Sequence, residues 1–125
     1  MKIYVFGNPI LEEDNLALRI SQKLKKTFPD IEFLERDSIE DIEGDEIVLI
    51  DVAKGIKKVE LIESLDKLEV KKLYSLHDYD IAYELKLLEK IGKVKKVKII
   101  AIPFDMQEEV AISEVENYIH LIFKK

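Results

Sequence analysis

An almost unbroken apolar stretch in the middle of the chain, residues 46–51 (EIVLID), predicts a strand that is buried on both of its faces. Strands of this kind lie in parallel sheets, whose two faces are both covered by helices. Residues 2–6 and 97–102 have the same character, and Pro103 stops the second of them. Together, these three segments predict an α/β fold with a mostly parallel sheet.

Helical patterns follow the predicted strands. Residues 12–27 carry apolar side chains four positions apart, which gives a helix one apolar stripe. Residues 78–91 repeat this pattern, and Gly92 stands where a helix commonly ends with a C-terminal cap. A last helix is predicted to begin at Ser113, which forms a capping box with Glu116.

Two further strands are predicted from weaker patterns. Residues 31–34 alternate weakly, and residues 58–63 alternate more clearly, as an edge strand does. The preceding connection is too short for a crossover helix, so this edge strand is expected to pair antiparallel. Residues 38–45 are acidic and predict a short helical turn. The expected architecture is a single domain, residues 1–125, folded as a three-layer α/β/α sandwich around a twisted sheet of about five strands.

The composition limits the chemistry that the protein can use. The chain has no cysteine, so disulfides and thiolate catalysis are excluded, and any metal ligand is Asp, Glu, His or backbone. The net charge of −6 argues against binding of duplex nucleic acid. No apolar run is long enough to span a bilayer, and the N-terminal apolar run is too short for a signal peptide, so a cytoplasmic protein without membrane association is expected. The abundance of Lys and Glu is typical of hyperthermophile proteins.

Three polar residues lie at the ends of predicted elements. Asp14 is in the first turn of the first helix, Asp51 closes the central strand, and His77 precedes the helix of residues 78–91. The carboxyl ends of parallel strands meet at one edge of a sheet, where α/β proteins bind ligands. Two carboxylates and one imidazole at that edge would suit a divalent first-row metal. Each residue also has a simpler interpretation, as a carboxylate at a helix dipole, a turn cap or a surface histidine.

Five short segments form an ordered set along the chain: residues 7–14 (GNPILEED), 18–20 (LRI), 49–51 (LID), 75–77 (SLH) and 99–103 (IIAIP). In this order and at this spacing, the set resembles the hydrogenase maturation endopeptidases. In that family, a Gly-Asn-x-Leu loop leads into an acidic helix start, an apolar strand ends in Asp, and a Ser-x-His-type segment opens a later helix. The similarity extends over nearly the whole chain.

The resemblance implies an endopeptidase that removes a C-terminal peptide from the large-subunit precursor of nickel-iron hydrogenase, after nickel has been inserted. Its metal-binding and catalytic residues would be Asp14, Asp51 and His77. The nickel would be supplied by the precursor, which is the expected protein partner, rather than bound permanently.

Departures from the family pattern leave alternatives open. The family's first ligand is usually Glu where this chain has Asp14, and the neighbouring Glu13 is an alternative ligand. The family's Asp after the second strand is replaced by residues 35–38 (ERDS), so Glu35 or Asp37 can stand in for it. The helix between the second and third strands is nearly absent. A non-cleaving nickel-site chaperone or assembly protein on the same fold is therefore the alternative function. A nucleotide-binding module ranks below both, because the loop after the first strand has a single glycine.

Overall fold

The computed structural model describes residues 1–6, 16–36, 42, 44–53, 56–63 and 87–124. The strands are β1 (Lys2–Phe6), β2 (Glu32–Arg36), β3 (Gly44–Ala53), β4 (Glu60–Ile62) and β5 (Val94–Pro103). They form a sheet in the order β2-β1-β3-β5-β4. All neighbouring pairs are parallel except β4 with β5, which is antiparallel. The prediction of a mostly parallel sheet with an antiparallel edge strand is confirmed.

Helices cover the sheet on both sides. Helices α1 (Leu16–Thr27) and α2 (Glu108–Phe123) pack together on one side, which we call face A. Face A carries the buried side chains of Ile3, Val5, Val48, Ile50 and Ile100. The other side, face B, carries Tyr4, Phe6, Leu49, Ile99 and Ala101, and Leu88 from the helical residues 87–90 packs against it. The predicted three-layer arrangement is therefore confirmed.

The sequence of α1 explains where this helix lies and where it ends. Its buried residues are spaced so that they form one stripe against face A: Leu16, Ala17, Ile20, Ser21 and Leu24. The last turn is basic, which suits the negative end of a helix dipole. The Phe28 N–H donates to the Leu24 carbonyl at 2.9 Å, and Pro29 follows. The predicted end of this helix is confirmed, whereas its predicted start, at residues 12–15, lies outside the described residues.

The prediction of a capping box at Ser113 and Glu116 is wrong. Helix α2 begins at Glu108 after the N-terminal cap residue Gln107, so Ser113 is an exposed residue inside the helix. The chain turns immediately after β5, where the Met106 N–H donates to the Pro103 carbonyl at 3.2 Å. The first turn then carries two glutamates, which suit its positive dipole end.

Other strand boundaries also differ from the predictions, and β3 continues two residues beyond Asp51, to Ala53. β3 starts at Gly44, so the last residues of the predicted acidic helical turn belong to a strand. β5 starts at Val94, three residues earlier than its apolar run, because Val94 and Lys96 pair with Gly44 and Glu46 of β3. Lys98 pairs with Glu46 at 3.0 Å. Gly92 has a φ of +83°, which agrees with its predicted role as a helix cap. In the described part of the chain, no helix combines the length and hydropathy of a membrane span.

Candidate functional site at the carboxyl edge of the sheet

Asp51 is a buried carboxylate near the carboxyl end of the central strand. Its side chain is 6% exposed, in a stretch of β3 that is otherwise apolar. One carboxylate oxygen, Oδ1, accepts a hydrogen bond from the Val52 N–H at 2.8 Å. Burial of a charged group in apolar surroundings is costly, so such a residue requires a specific explanation. The position is the one at which parallel α/β sheets bind ligands.

The strand register places Asp51 in a row of side chains that crosses face B. Asp51 pairs with Ala101 of β5, and Ala101 pairs on its other side with Glu60 of β4. On the other side of Asp51, β3 pairs with β1, and Val5 lies beside Ile50. In the same register, the next residues of the two strands are Phe6 and Asp51, so these two residues lie side by side. Phe6 in turn pairs with Arg36 of β2. We call Arg36, Phe6, Asp51, Ala101 and Glu60 the cross-sheet row.

The row has a distinct chemical order. Two carboxylates, Asp51 and Glu60, flank the small side chain of Ala101, and their Cα atoms are separated by about 10 Å because two strand spacings lie between them. The apolar Phe6 separates Asp51 from the guanidinium of Arg36. A ligand at this edge would therefore meet negative charge on one side and positive charge on the other.

Two of the three predicted site residues cannot be placed relative to Asp51. Asp14 and His77 lie outside the described residues, as do the alternatives Glu13 and Asp37. Their convergence with Asp51 stays a prediction.

The alternative ligand Glu35 is described, and it lies on the other side of the sheet. Glu35 pairs with Val5, whose side chain belongs to face A. Its Oε1 accepts a hydrogen bond from Gln22 Nε2 of α1 at 2.7 Å. The structure therefore separates Glu35 from Asp51, because side chains of adjacent strand residues point to opposite faces.

No group of three or more Asp, Glu or His side chains suited to a metal ion occurs among the described residues. Since two of the three predicted ligands are outside these ranges, the predicted set is not tested by this finding. A cavity of 320 Å³ lies at the opposite end of the sheet, at the amino ends of β1 and β3, where Lys2, Glu46 and Phe123 contribute to its lining. It is not part of the candidate site.

Sequence reasoning did not single out Arg36 or Glu60. The signal that identifies them is the pairing register, which a single sequence does not reveal. Once the sheet order is known, counting from Asp51 along each pair of strands leads to both residues.

The fold is similar to those of three solved structures. The solution structure of an endopeptidase from Escherichia coli has a TM-score of 0.67 and 20% identity, over 96% of this chain and 93% of that chain. The crystal structure of the hydrogenase 3 maturation protease has a TM-score of 0.64 and 14% identity, over 94% and 87% of the two chains. An uncharacterized protein from Wolinella succinogenes has a TM-score of 0.60 and 14% identity, over 97% of both chains.

No protein-family model and no curated protein matches the sequence. At the identities found among the solved structures, the likeness concerns the fold. The chain has a fold like that of the hydrogenase maturation proteases.

Proposed function

We propose that this protein is an endopeptidase that removes a C-terminal peptide from the nickel-loaded large-subunit precursor of a nickel-iron hydrogenase. The likeness of its fold to an endopeptidase and to a hydrogenase maturation protease, over 96% and 94% of this chain, supports the reaction class. The observation that carries the proposal is the buried carboxylate of Asp51 at the carboxyl end of β3. This is a position where a sheet of this type presents residues to a ligand.

In the proposed reaction, Asp14, Asp51 and His77 complete the coordination of the nickel that the precursor carries. Carboxylate and imidazole ligands suit such a metal and leave positions open for the substrate. The nickel ion would polarise the scissile carbonyl or activate water. Asp51 is well suited to attract a cation because electrostatic attraction is stronger in the low-dielectric interior than in water.

The first test compares two Asp→Asn variants of the same strand. Asp51→Asn keeps an oxygen that can accept from the Val52 N–H, so the fold is expected to be retained while the charge is lost. Cleavage of a nickel-loaded precursor should fall by more than the roughly 10–100-fold that is typical when a residue hydrogen-bonded to a metal ligand is lost. Asp45→Asn is the matched control, because Asp45 lies in β3 but its side chain is 87% exposed. Unchanged processing by folded Asp51→Asn would show that the assignment is wrong.

The same assay separates the proposed function from its alternative. A chaperone or assembly protein would bind the nickel-loaded precursor, for instance in a pull-down experiment, and leave its C-terminus intact. Cleavage by the wild-type protein would eliminate this alternative.

A second test asks whether the predicted ligands form one site. Calorimetric titration with Ni²⁺ would compare the wild type with Asp14→Ala, Asp51→Ala and His77→Ala, each checked for folding by circular dichroism. Loss of binding in all three folded variants is expected, because removal of one ligand weakens the whole site. If the wild type binds nickel and no variant changes the affinity, the three residues do not share a metal site.

A further inference from the structure

Arg36 has an unusual environment at one end of the cross-sheet row. It is the last residue of β2, and its guanidinium carbon lies 6.0 Å from the centre of the Tyr4 ring on face B. Its Nη1 donates to the Glu35 carbonyl at 2.7 Å, and this contact lies at the surface. The side chain is therefore held at the carboxyl edge by a cation–π contact and by one hydrogen bond.

One donor of the guanidinium, at Nε, is not satisfied by any described residue. Nε is buried and has no hydrogen-bond partner in the described part of the chain. A buried donor without an acceptor is costly, so native proteins keep few of them and each requires an explanation. Among the described residues, no carboxylate forms a salt bridge with Arg36.

The pattern of used and unused donors points to one kind of ligand. One of the two N–H groups of Nη1 is engaged with the backbone, so the edge of the guanidinium formed by Nε and Nη2 is the one that no described residue occupies. The N–H bonds on this side of a guanidinium are parallel and form the fork that binds a carboxylate through two hydrogen bonds. Nε is enclosed in the unbound protein, so capture of a carboxylate requires a rotation of the guanidinium.

We propose that Arg36 is a substrate-binding residue that holds a carboxylate of the protein substrate beside Asp51, through the Nε and Nη2 fork. The location supports this role, because Arg36 and Asp51 lie on the same face and are separated by Phe6 alone, at about 10 Å between Cα atoms. A separation of about 10 Å is spanned by roughly three residues of an extended substrate chain, so one short segment could contact both Arg36 and Asp51. That the carboxylate belongs to a protein substrate rests on the proposed function, whereas carboxylate binding itself does not.

The chain offers a direct test because it contains two arginines, Arg36 and Arg19. The side-chain Nε–H region of a ¹H–¹⁵N spectrum therefore holds two arginine signals, and Arg19, exposed on α1, is an internal control. Titration of the wild-type protein with sodium acetate, at constant ionic strength kept with sodium chloride, should shift the Arg36 signal in a saturable manner. The Arg19 signal should show no saturable change.

Three spectroscopic outcomes would overturn the proposal. The first is no shift of the Arg36 signal, and the second is an equal, non-saturating shift of both arginine signals, which would be an effect of salt. The third is stronger saturation by inorganic phosphate than by acetate, which would show a general anion site rather than one shaped for a carboxylate.

A second experiment measures the kinetics of precursor cleavage by Arg36→Lys and Arg36→Gln, with Arg19→Lys as the matched control. Arg36→Lys keeps a cation near Tyr4 but loses the fork, so KM for the precursor should rise about tenfold or more while kcat is unchanged. Arg19→Lys should leave KM unchanged. A purely structural role would lower the urea midpoint of the Arg36 variants without raising KM, and that result would refute substrate binding. If the wild type cleaves no precursor, the proposed function fails, and the acetate titration still decides whether Arg36 binds carboxylates.

Discussion

A lysine on α1 makes one pH-dependent contact with α2. Lys23 Nζ donates to Glu108 Oε2 at 2.8 Å. This hydrogen bond and the negative charges of Glu108 and Glu109 raise the pKa of Lys23 above its usual 10.5, against the opposing effects of desolvation and of Arg19. Because the folded-state pKa is above the unfolded one, the pair stabilises the fold below the unfolded pKa. This contribution is lost as the pH rises through the folded pKa.

The variant Lys23→Gln should therefore have a lower urea midpoint than the wild type at about pH 9, and the difference should disappear by about pH 12. Lys23→Arg is the matched control, because arginine stays charged across this range. This variant should keep the stabilising contribution of the pair with Glu108 at the pH values at which the wild type loses it. Urea unfolding followed by circular dichroism would measure all three proteins. A difference between wild type and Lys23→Gln that is constant with pH would contradict this prediction.

The predictability of individual residues depends on whether their role is local. Asp51 could be predicted because an acid in an otherwise apolar run is visible in the sequence, although it is buried inside β3 and the strand ends two residues later, at Ala53. Arg36 could not be predicted, because its position depends on the pairing of β1 with both β2 and β3. Asp14 and His77 were predicted from local pattern and resemblance, and the described residues leave their positions open.

Helix α2 is hydrogen-bonded to both the backbone N–H and the backbone carbonyl of Val59, the residue before β4. The Tyr118 hydroxyl donates to the Val59 carbonyl at 3.3 Å, and the Val59 N–H donates to Glu114 Oε2 at 3.4 Å. Tyr118 and Glu114 are four residues apart and thus lie on one helix face. Since β4 has three residues and is an edge strand, these contacts support the position that its pairing with β5 sets.

The variant Tyr118→Phe should lower the free energy of unfolding by about 1 kcal/mol, because the Val59 carbonyl loses its donor. The larger expected effect is local: amide hydrogen exchange in β4 should become faster, while exchange in β1 stays near the wild-type rate. Glu116→Gln on the same helix is the control and should change neither quantity. Equal exchange rates in β4 of the wild type and Tyr118→Phe would show that α2 does not anchor this strand.

Element types were more predictable than element ends. The apolar runs of β1, β3 and β5 identify buried strands, because each is apolar on both faces. The start of α2 was missed because Ser113 and Glu116 have the local chemistry of a capping box, whereas the tight turn after Pro103 determines the real start. Long-range pairing likewise extends β5 over Lys95 and Lys96, whose side chains alone do not favour a buried strand.

The buried side chains of face A and those of face B form two apolar layers on the same strands. The described parts of the molecule are therefore expected to unfold together. Adjacent residues of β5 contribute to opposite layers: Ile100 is buried on face A and Ile99 on face B. β5 is also hydrogen-bonded to both β3 and β4. Disruption of either layer therefore weakens the sheet that the other layer requires, which is the physical basis of two-state unfolding.

The variants Ile100→Ala and Ile99→Ala should each lower the free energy of unfolding by about 2–5 kcal/mol, through lost burial and the cavity that remains. Ile91→Ala is the matched control, because Ile91 is 66% exposed, and its effect should be within about 0.5 kcal/mol. Urea unfolding would be followed by far-ultraviolet circular dichroism for the backbone and near-ultraviolet dichroism for the tyrosines. The two signals should coincide in every variant, since loss of one layer removes the support of the other. Separate transitions in Ile99→Ala, with face A surviving to higher urea than face B, would contradict a single cooperative domain.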